Sequence, residues 1–490
     1  MKLRTLTVAL ILMLMSAVIT TAAPQDAAPP EISKVERKNR APVSKEVLRV
    51  KLPQATEVTL SNGLTVLIME EHKLPLISVQ YNISGTGAIF EPPDMPGLAG
   101  ITAQMLREGT KTKTSVQIAE ETAKLGASLN STSGFGSSTT VINASGLSDN
   151  FEQWFALAND VLLHPSFPAD ELNRLKQRMK AQLRQQRARP TFLSNEMFSR
   201  AVYGNHPAAV VSATEQSVDA FTPEALAKWH RERYAPQNAI LGISGDVRPS
   251  ELTPKLERWL AEWKKTDLKE VLPPNPKPAA LKKVLLVDRP NSVQTSVMLG
   301  NISIDRRDPD FIPLTVANHI FGGSAAARLF LNLREEKGYT YGVYSSFSAL
   351  KYPGPWRAYG DVRTEVTDGA MTEFFREIQR IRDERVPDSE LEDAKRALVA
   401  SFALSLEDPD DLLNYAIVRK IYGFPKDYWD TYPAKIMAIT AADVQRVARK
   451  YINPENMQVV AVGDANKIKA IMEKYGPVEV YNGEGKKVGD

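Results

Sequence analysis

The sequence predicts an α+β protein of two tandem homologous domains, each a mixed, mainly antiparallel sheet with helices packed on one side. The first observation behind this is an internal repeat. Pro236-Gln237-Asn238 is followed after six residues by Gly245-Asp246, and Pro454-Glu455-Asn456 is followed after six residues by Gly463-Asp464, a displacement of 218 residues. Pro168-Ala169-Asp170-Glu171-Leu172 resembles Pro387-Asp388-Ser389-Glu390-Leu391 at a displacement of 219, and Thr222 and Thr440 stand 218 apart. A period of this length exceeds any solenoid unit and describes a duplicated domain. The second observation is a proline cluster, Pro273, Pro274, Pro276 and Pro278, that interrupts the chain near its middle. The third is size: 490 residues, 43% hydrophobic and 24% charged, are ordinary globular composition but too many for one core.

The elements follow in chain order. Lys2 and Arg4, the apolar run Val8–Ile19 and the small residues Thr20-Thr21-Ala22-Ala23 have the three-part layout of a secretory signal peptide over residues 1–23. The apolar run is shorter than the roughly 18–20 residues that span a bilayer, so no stable membrane span is expected once it is cleaved; uncleaved, it would tether the chain. The expected location is therefore outside the inner membrane, in the periplasm. Residues 24–47, with Pro24, Pro29, Pro30 and Pro42, read as a flexible tether. Residues 48–263 form the first domain. Within it, Glu57–Ile68 is two β-prone runs around Asn62-Gly63, a hairpin signal, and Ser78–Ser84 is a further strand. Helical patterns follow at Gly97–Arg107, Ser115–Leu125, Asn150–Leu163, Pro168–Arg187 and Pro223–Tyr234, then a strand at Ala239–Ser244. Residues 264–280 are the proline-rich linker, 281–475 the second domain, opening on a strand at Leu281–Val287, and 476–490 a tail.

Charge and composition exclude several classes. The net charge is +3, and Lys2 and Arg4 lie in the leader, so the mature chain is nearly neutral and carries no electrostatic signature for nucleic acid. Without cysteine there is no disulfide and no thiolate ligand. His72, His164, His206, His230 and His319 include no pair spaced i, i+3 or i, i+4, as a helical metal site needs. No phosphate-binding glycine loop and no Gly-x-Ser-x-Gly elbow occurs.

The segment Pro96-Gly97-Leu98-Ala99-Gly100-Ile101-Thr102-Ala103-Gln104-Met105-Leu106-Arg107-Glu108-Gly109-Thr110 closely resembles the zinc-binding helix of the pitrilysin, insulin-degrading and mitochondrial-processing peptidases. That family carries His-x-x-Glu-His, in which histidines at i and i+4 share one helix face and reach the metal while the glutamate activates water. Here the matching positions are Gly100, Ala103 and Gln104, and the family's further glutamate ligand, carried on a later helix, matches Gln182. The resemblance therefore implies a non-catalytic member, with no metal or other cofactor in this chain.

A second hallmark lies downstream. Phe321-Gly322-Gly323-Ser324 precedes Leu333-Arg334-Glu335-Glu336-Lys337-Gly338-Tyr339-Thr340-Tyr341, which is similar to the family's Arg-x-x-x-Gly-x-x-Tyr. Taken alone, this is a polar helix end in which Arg334 pairs with a local glutamate and Tyr341 begins a strand, and Gly322-Gly323 is a tight turn. The resemblance implies more: Arg334, with Gly338, would grip a substrate backbone, and the Tyr341 hydroxyl would stabilise the oxyanion of a tetrahedral intermediate. In some bacterial members one subunit carries the metal motif and the other the Arg/Tyr pair. The resemblance, which spans about Leu48 to residue 475, thus implies a heterodimer with a zinc-bearing paralogue acting on peptide substrates. The alternative is a catalytically inactive peptide-binding or scaffold protein of the same fold.

Overall fold

The computed structural model describes residues 48–488. The leader and the whole tether, residues 1–47, lie outside the described residues. In the first half the strands are β1 (Thr56–Thr59), β2 (Thr65–Glu70), β3 (Leu76–Ser84), β4 (Ser128–Thr132), β5 (Thr139–Leu147) and β6 (Ala239–Gly245). The helices are α1 (Leu98–Met105), α2 (Ser115–Lys124), α3 (Phe151–Leu163), α4 (Ala169–Arg187), α5 (Pro190–Tyr203), α6 (Glu215–Ala220), α7 (Pro223–Arg233) and α8 (Pro249–Trp259). The second half contains β7 (Lys283–Asp288), β8 (Gln294–Ile302), β9 (Thr340–Ala349), β10 (Pro353–Arg363), β11 (Gln458–Gly463) and β12 (Val478–Tyr481). Its helices are α9 (Phe311–Phe321), α10 (Arg328–Phe330), α11 (Thr367–Asp383), α12 (Asp388–Ser405), α13 (Pro409–Tyr422), α14 (Tyr432–Met437), α15 (Ala441–Tyr451) and α16 (Ala465–Met472).

From β2 onward and from β7 onward the same succession of strands and helices is repeated, as the duplicated motifs require. The sheets agree as well: their strand orders are β1-β2-β6-β3-β5-β4 and β12-β7-β11-β8-β10-β9. Each is mixed and mainly antiparallel, with β2 parallel to β6 and β7 parallel to both β11 and β12. Local chemistry accounts for several elements. Gly63 adopts φ +86°, and Asn62 Oδ1 accepts from Leu64 N at 3.1 Å, closing the β1–β2 hairpin. Thr222 Oγ1 accepts from Ala225 N at 3.2 Å and Thr440 Oγ1 from Asp443 N at 3.1 Å, so the paired threonines cap α7 and α15. No helix or strand occurs between Trp259 and Lys283, where the prolines gather. The stretch expected as a tail contributes β12, because Val478-Glu479-Val480-Tyr481 has strand alternation and finds the open edge of β7.

On one face each sheet is covered by the helices of its own half, forming two separate cores. The other face takes a helix from the opposite half. Helix α5 places Leu193, Met197, Phe198 and Val202 against Leu285, Val287, Met298, Val460 and Val462 of the second sheet. Reciprocally, α13 lays Leu413 and Ile417 on Leu67, Met69 and Ile240 of the first. Gly242 makes the second contact possible: a Cβ there would lie 2.7 Å from Ile417 Cδ1. Asp410, in the first turn of α13, accepts from Ser244 Oγ at 2.8 Å and Ser78 Oγ at 3.1 Å. Fully burying side chains of this size contributes roughly 1.5–3 kcal/mol each, so this exchange of helices binds the halves into one body. Helix α5 is absent from the sequence expectation, although Pro190 at its first turn is a helix-start signal.

Candidate functional site

Helix α1 packs Leu98, Ala99, Ile101 and Met105 into the first core. The positions matching the family's metal motif fall on two sides of it. Ala103 is fully buried, Gln104 is exposed, and Gly100 is half-buried with a would-be Cβ 3.2 Å from Ser133 O. Gln182 lies on α4 and is exposed. Zinc binds through nitrogen, sulfur or carboxylate oxygen. These positions offer a hydrogen atom, a methyl group and two neutral amides, so the residues present do not fit the ion. Among the described residues no group of three or more His, Cys, Asp and Glu is placed to hold a metal.

The start of α1 is fixed by a residue that the motif comparison passes over. Glu91 accepts from Gly97 N at 2.8 Å and Ala99 N at 2.7 Å, taking two of the unpaired donors at the helix N-terminus. Burial pushes its carboxyl up to about 7, against the two N–H bonds that favour the anion.

The second constellation is assembled. Helix α10 runs into a π-helical turn, Leu331–Glu336, which carries Arg334 and ends at Lys337. Gly338 follows with φ +61°. Its N–H reaches Arg334 O at 3.1 Å and Tyr339 N reaches Leu333 O at 2.8 Å, a glycine-terminated helix closure widened by the extra residue of the π turn. A Cβ on Gly338 would meet nothing within 4 Å, so glycine is required there by backbone conformation and not by space. The chain then turns directly into β9. Tyr341, its second residue, is 90% exposed, and the Arg334 guanidinium lies 5.5 Å from the Tyr341 ring and 4.8 Å from the Phe330 ring. Arg334 Nε is also 3.5 Å from Glu335 Oε1, so the local ion pair read from the sequence is present beside the stack. The Tyr341 hydroxyl has no hydrogen-bond partner among the described residues.

The turn is held from behind by groups that sequence reasoning missed. Arg328 donates through Nε and Nη2 to the two oxygens of Glu390, both at 2.7 Å. Asn332 donates to Glu373 Oε2 and to Glu377 Oε1, both at 2.8 Å. The glycine pair has a more specific task than a tight turn: Gly322 O accepts from Ser345 N at 2.8 Å, covering the free edge of β9, and a Cβ on Gly322 would lie 2.7 Å from that nitrogen.

Two family models match the chain, the "Insulinase (Peptidase family M16)" model over residues 77–212 and the "Peptidase M16 inactive domain" model over residues 220–398. The chain belongs to peptidase family M16. Within M16 it is similar to the uncharacterized zinc protease YmxG of Bacillus subtilis (strain 168), 24% identical over 361 residues that cover 73% of this chain and 85% of the relative. It is also similar to an uncharacterized zinc protease of Rickettsia bellii, 26% identical over 404 residues, covering 80% and 93%. Among solved structures it matches the M16 inactive domain from Pseudomonas fluorescens with a TM-score of 0.78 and 27% identity, over 84% of this chain and 98% of that one. A protease structure from Helicobacter pylori shares the fold, with a TM-score of 0.76 at 18% identity over 84% and 100% of the two chains. The chain is thus an M16 protein with the family's two-sheet architecture and without the metal-motif side chains. No helix among the described residues is long and apolar enough to cross a membrane.

Proposed function

We propose that this chain is the non-metal subunit of a heterodimeric M16 zinc peptidase, exported to the periplasm by its leader. In this reading it lends Arg334 and Tyr341 to peptide substrates held at a zinc-bearing paralogue, and the zinc belongs to that partner. The carrying observation is the pairing of Arg334 with an almost fully exposed Tyr341 whose hydroxyl is free, beside an α1 that offers no metal donors. Arg334 would donate to a substrate backbone carbonyl, with Gly338 keeping the adjoining backbone close. The Tyr341 hydroxyl would donate to the oxyanion that develops on the scissile carbonyl. A preorganised donor of this kind is worth about 10²–10³ in rate. A pure scaffold of the same fold has no need of an oxyanion donor at this place.

The test is reconstitution. The mature chain, alone and mixed with a zinc-motif paralogue from the same cell, is assayed for zinc content and for hydrolysis of a fluorogenic peptide library. Activity only in the mixture, lost with Arg334→Ala and Tyr341→Phe, supports the reading. Activity that ignores both substitutions, or silence with every paralogue, moves the function to a scaffold.

A further inference from the structure

The π-helical turn that carries Arg334 is a rare departure from α-helix, and such turns are frequent at functional sites. The side chain two residues earlier is clamped by the neighbouring helix. Asn332 is 8% exposed and donates its amide hydrogens into two carboxylates of α11, Glu373 and Glu377, at 2.8 Å each. Glu377 is itself 1% exposed and accepts from Arg380 Nη1 at 2.9 Å, while Arg376 Nη1 lies 3.3 Å from Glu373 Oε2. Each carboxylate therefore has a cation behind it and an amide in front, so the clamp is charge-assisted and neutralised. Asn332 Oδ1 is buried without a partner, a cost accepted for the two donated bonds. On the other side of the turn Leu333 is fully buried in the second core. With residues 332 and 333 both fixed, the next residue is left to project outward, and it is Arg334 that lies over Tyr341.

We infer that Asn332 is a positioning residue: its clamp onto Glu373 and Glu377 sets the π turn and thereby aims the Arg334 guanidinium over Tyr341. Its consequence for catalysis rests on the reading of Arg334 and Tyr341 as the substrate-facing pair. Its consequence for geometry does not, which lets the two fail separately. Two readouts are needed. In the isolated mature chain with ¹⁵N-labelled arginine, the Arg334 Nε–H signal, assigned through Arg334→Lys, is expected to be shifted by the Tyr341 ring and to lose that shift in Tyr341→Ala and in Asn332→Ala. In the reconstituted pair, Asn332→Ala is expected to lower kcat/KM about tenfold or more, and to add nothing on top of Arg334→Ala, because residues acting through one another are not additive. A residue with a merely structural role would add its own loss to that of Arg334→Ala. Asn332→Leu keeps the buried volume without the amide and is expected to behave as Asn332→Ala should the smaller side chain impair folding. An unchanged ring shift in Asn332→Leu, or losses that add in the double variant, overturns the inference. A lost ring shift in a pair that shows no activity at all supports the positioning role and overturns the helper-subunit reading instead.

Discussion

Helices α1 and α9 occupy the same place in the two halves, and each has one acid near its start in a different setting. At α1 the acid is Glu91, reaching back to Gly97 N and Ala99 N with no ion pair among the described residues, and burial raises its pKa to about 7. At α9 it is Asp310, the residue before the helix. Burial works to raise its pKa too, but hydrogen bonds from Lys450, Arg446 and Tyr451 outweigh it and hold the carboxyl below its ordinary value. The Glu91 carboxylate thus takes up N–H groups at the start of its own helix, whereas Asp310 makes no side-chain cap bond to α9 and ties that helix to α15 instead. The duplicated fold keeps an acid near the same helix start without dictating what it binds. The functional positions repeat the lesson on a larger scale. Beside α1 the family's metal-motif positions are Gly100, Ala103 and Gln104, whereas after α9 the Arg334–Tyr341 stack is complete.

The largest effect is expected where the halves clasp each other. Phe198→Ala empties a fully buried site on α5 and should cost about 3–5 kcal/mol in denaturant unfolding, and Ile417→Ala on α13 about 2–5 kcal/mol. If either substitution loosens only the half that supplies the helix, seen as a split unfolding transition, the two halves are less coupled than their packing indicates. Next comes Tyr341→Phe, expected to lower kcat of the assembled pair by about 10²–10³ while leaving the melting temperature unchanged. Gln104→Ala, at the exposed metal-motif position on α1, should change neither.

The acids at the two helix starts predict opposite pH dependences. Glu91 binds its proton more tightly in the folded chain than at its ordinary value of 4.5, so its contribution to stability is fully present below about 4.5 and is lost as pH rises through about 7. Asp310 binds its proton less tightly than at 3.8, so its contribution is present above that value and is lost as pH falls through the lower folded pKa. Melting temperatures across pH should therefore flatten between about 4.5 and 7 for Glu91→Gln, and only in the acid range for Asp310→Asn. Equal flattening in both variants would show that the two settings are equivalent after all. The smallest effect is at the paired caps. Thr440 joins Asp443 in a reciprocal capping box, whereas Thr222 makes a single cap bond, so Thr440→Ala should cost more than Thr222→Ala, each about 0.5–2 kcal/mol by chemical denaturation.

Much of the fold is legible in the residues because its signals are local. The Asn62-Gly63 pair announces its hairpin through positive φ, Thr222 and Thr440 announce helix starts through their hydroxyls, and the repeated landmarks set the two halves in parallel. The pairing of Arg334 with Tyr341 is also close to a local fact, since only six residues separate them and Gly338 turns the chain between.

The residues alone carried the duplication, most strands and helices of the first half, the missing donor atoms on α1 and the presence of an Arg-x-x-x-Gly-x-x-Tyr turn, while most elements of the second half were not read from them. Tertiary structure decided the rest: that α5 and α13 cross to the opposite sheets, that Ala103 is sealed in a core while Tyr341 stands in solvent, that Val478–Tyr481 joins the second sheet, and that Asn332 and Glu377 grip the Arg334 turn from beneath. These features depend on partners far apart in the chain, such as Ser78 with Asp410 across 332 residues. Short-range propensity and periodicity describe how a segment presents its faces, whereas what each face meets is set only when distant segments pack together.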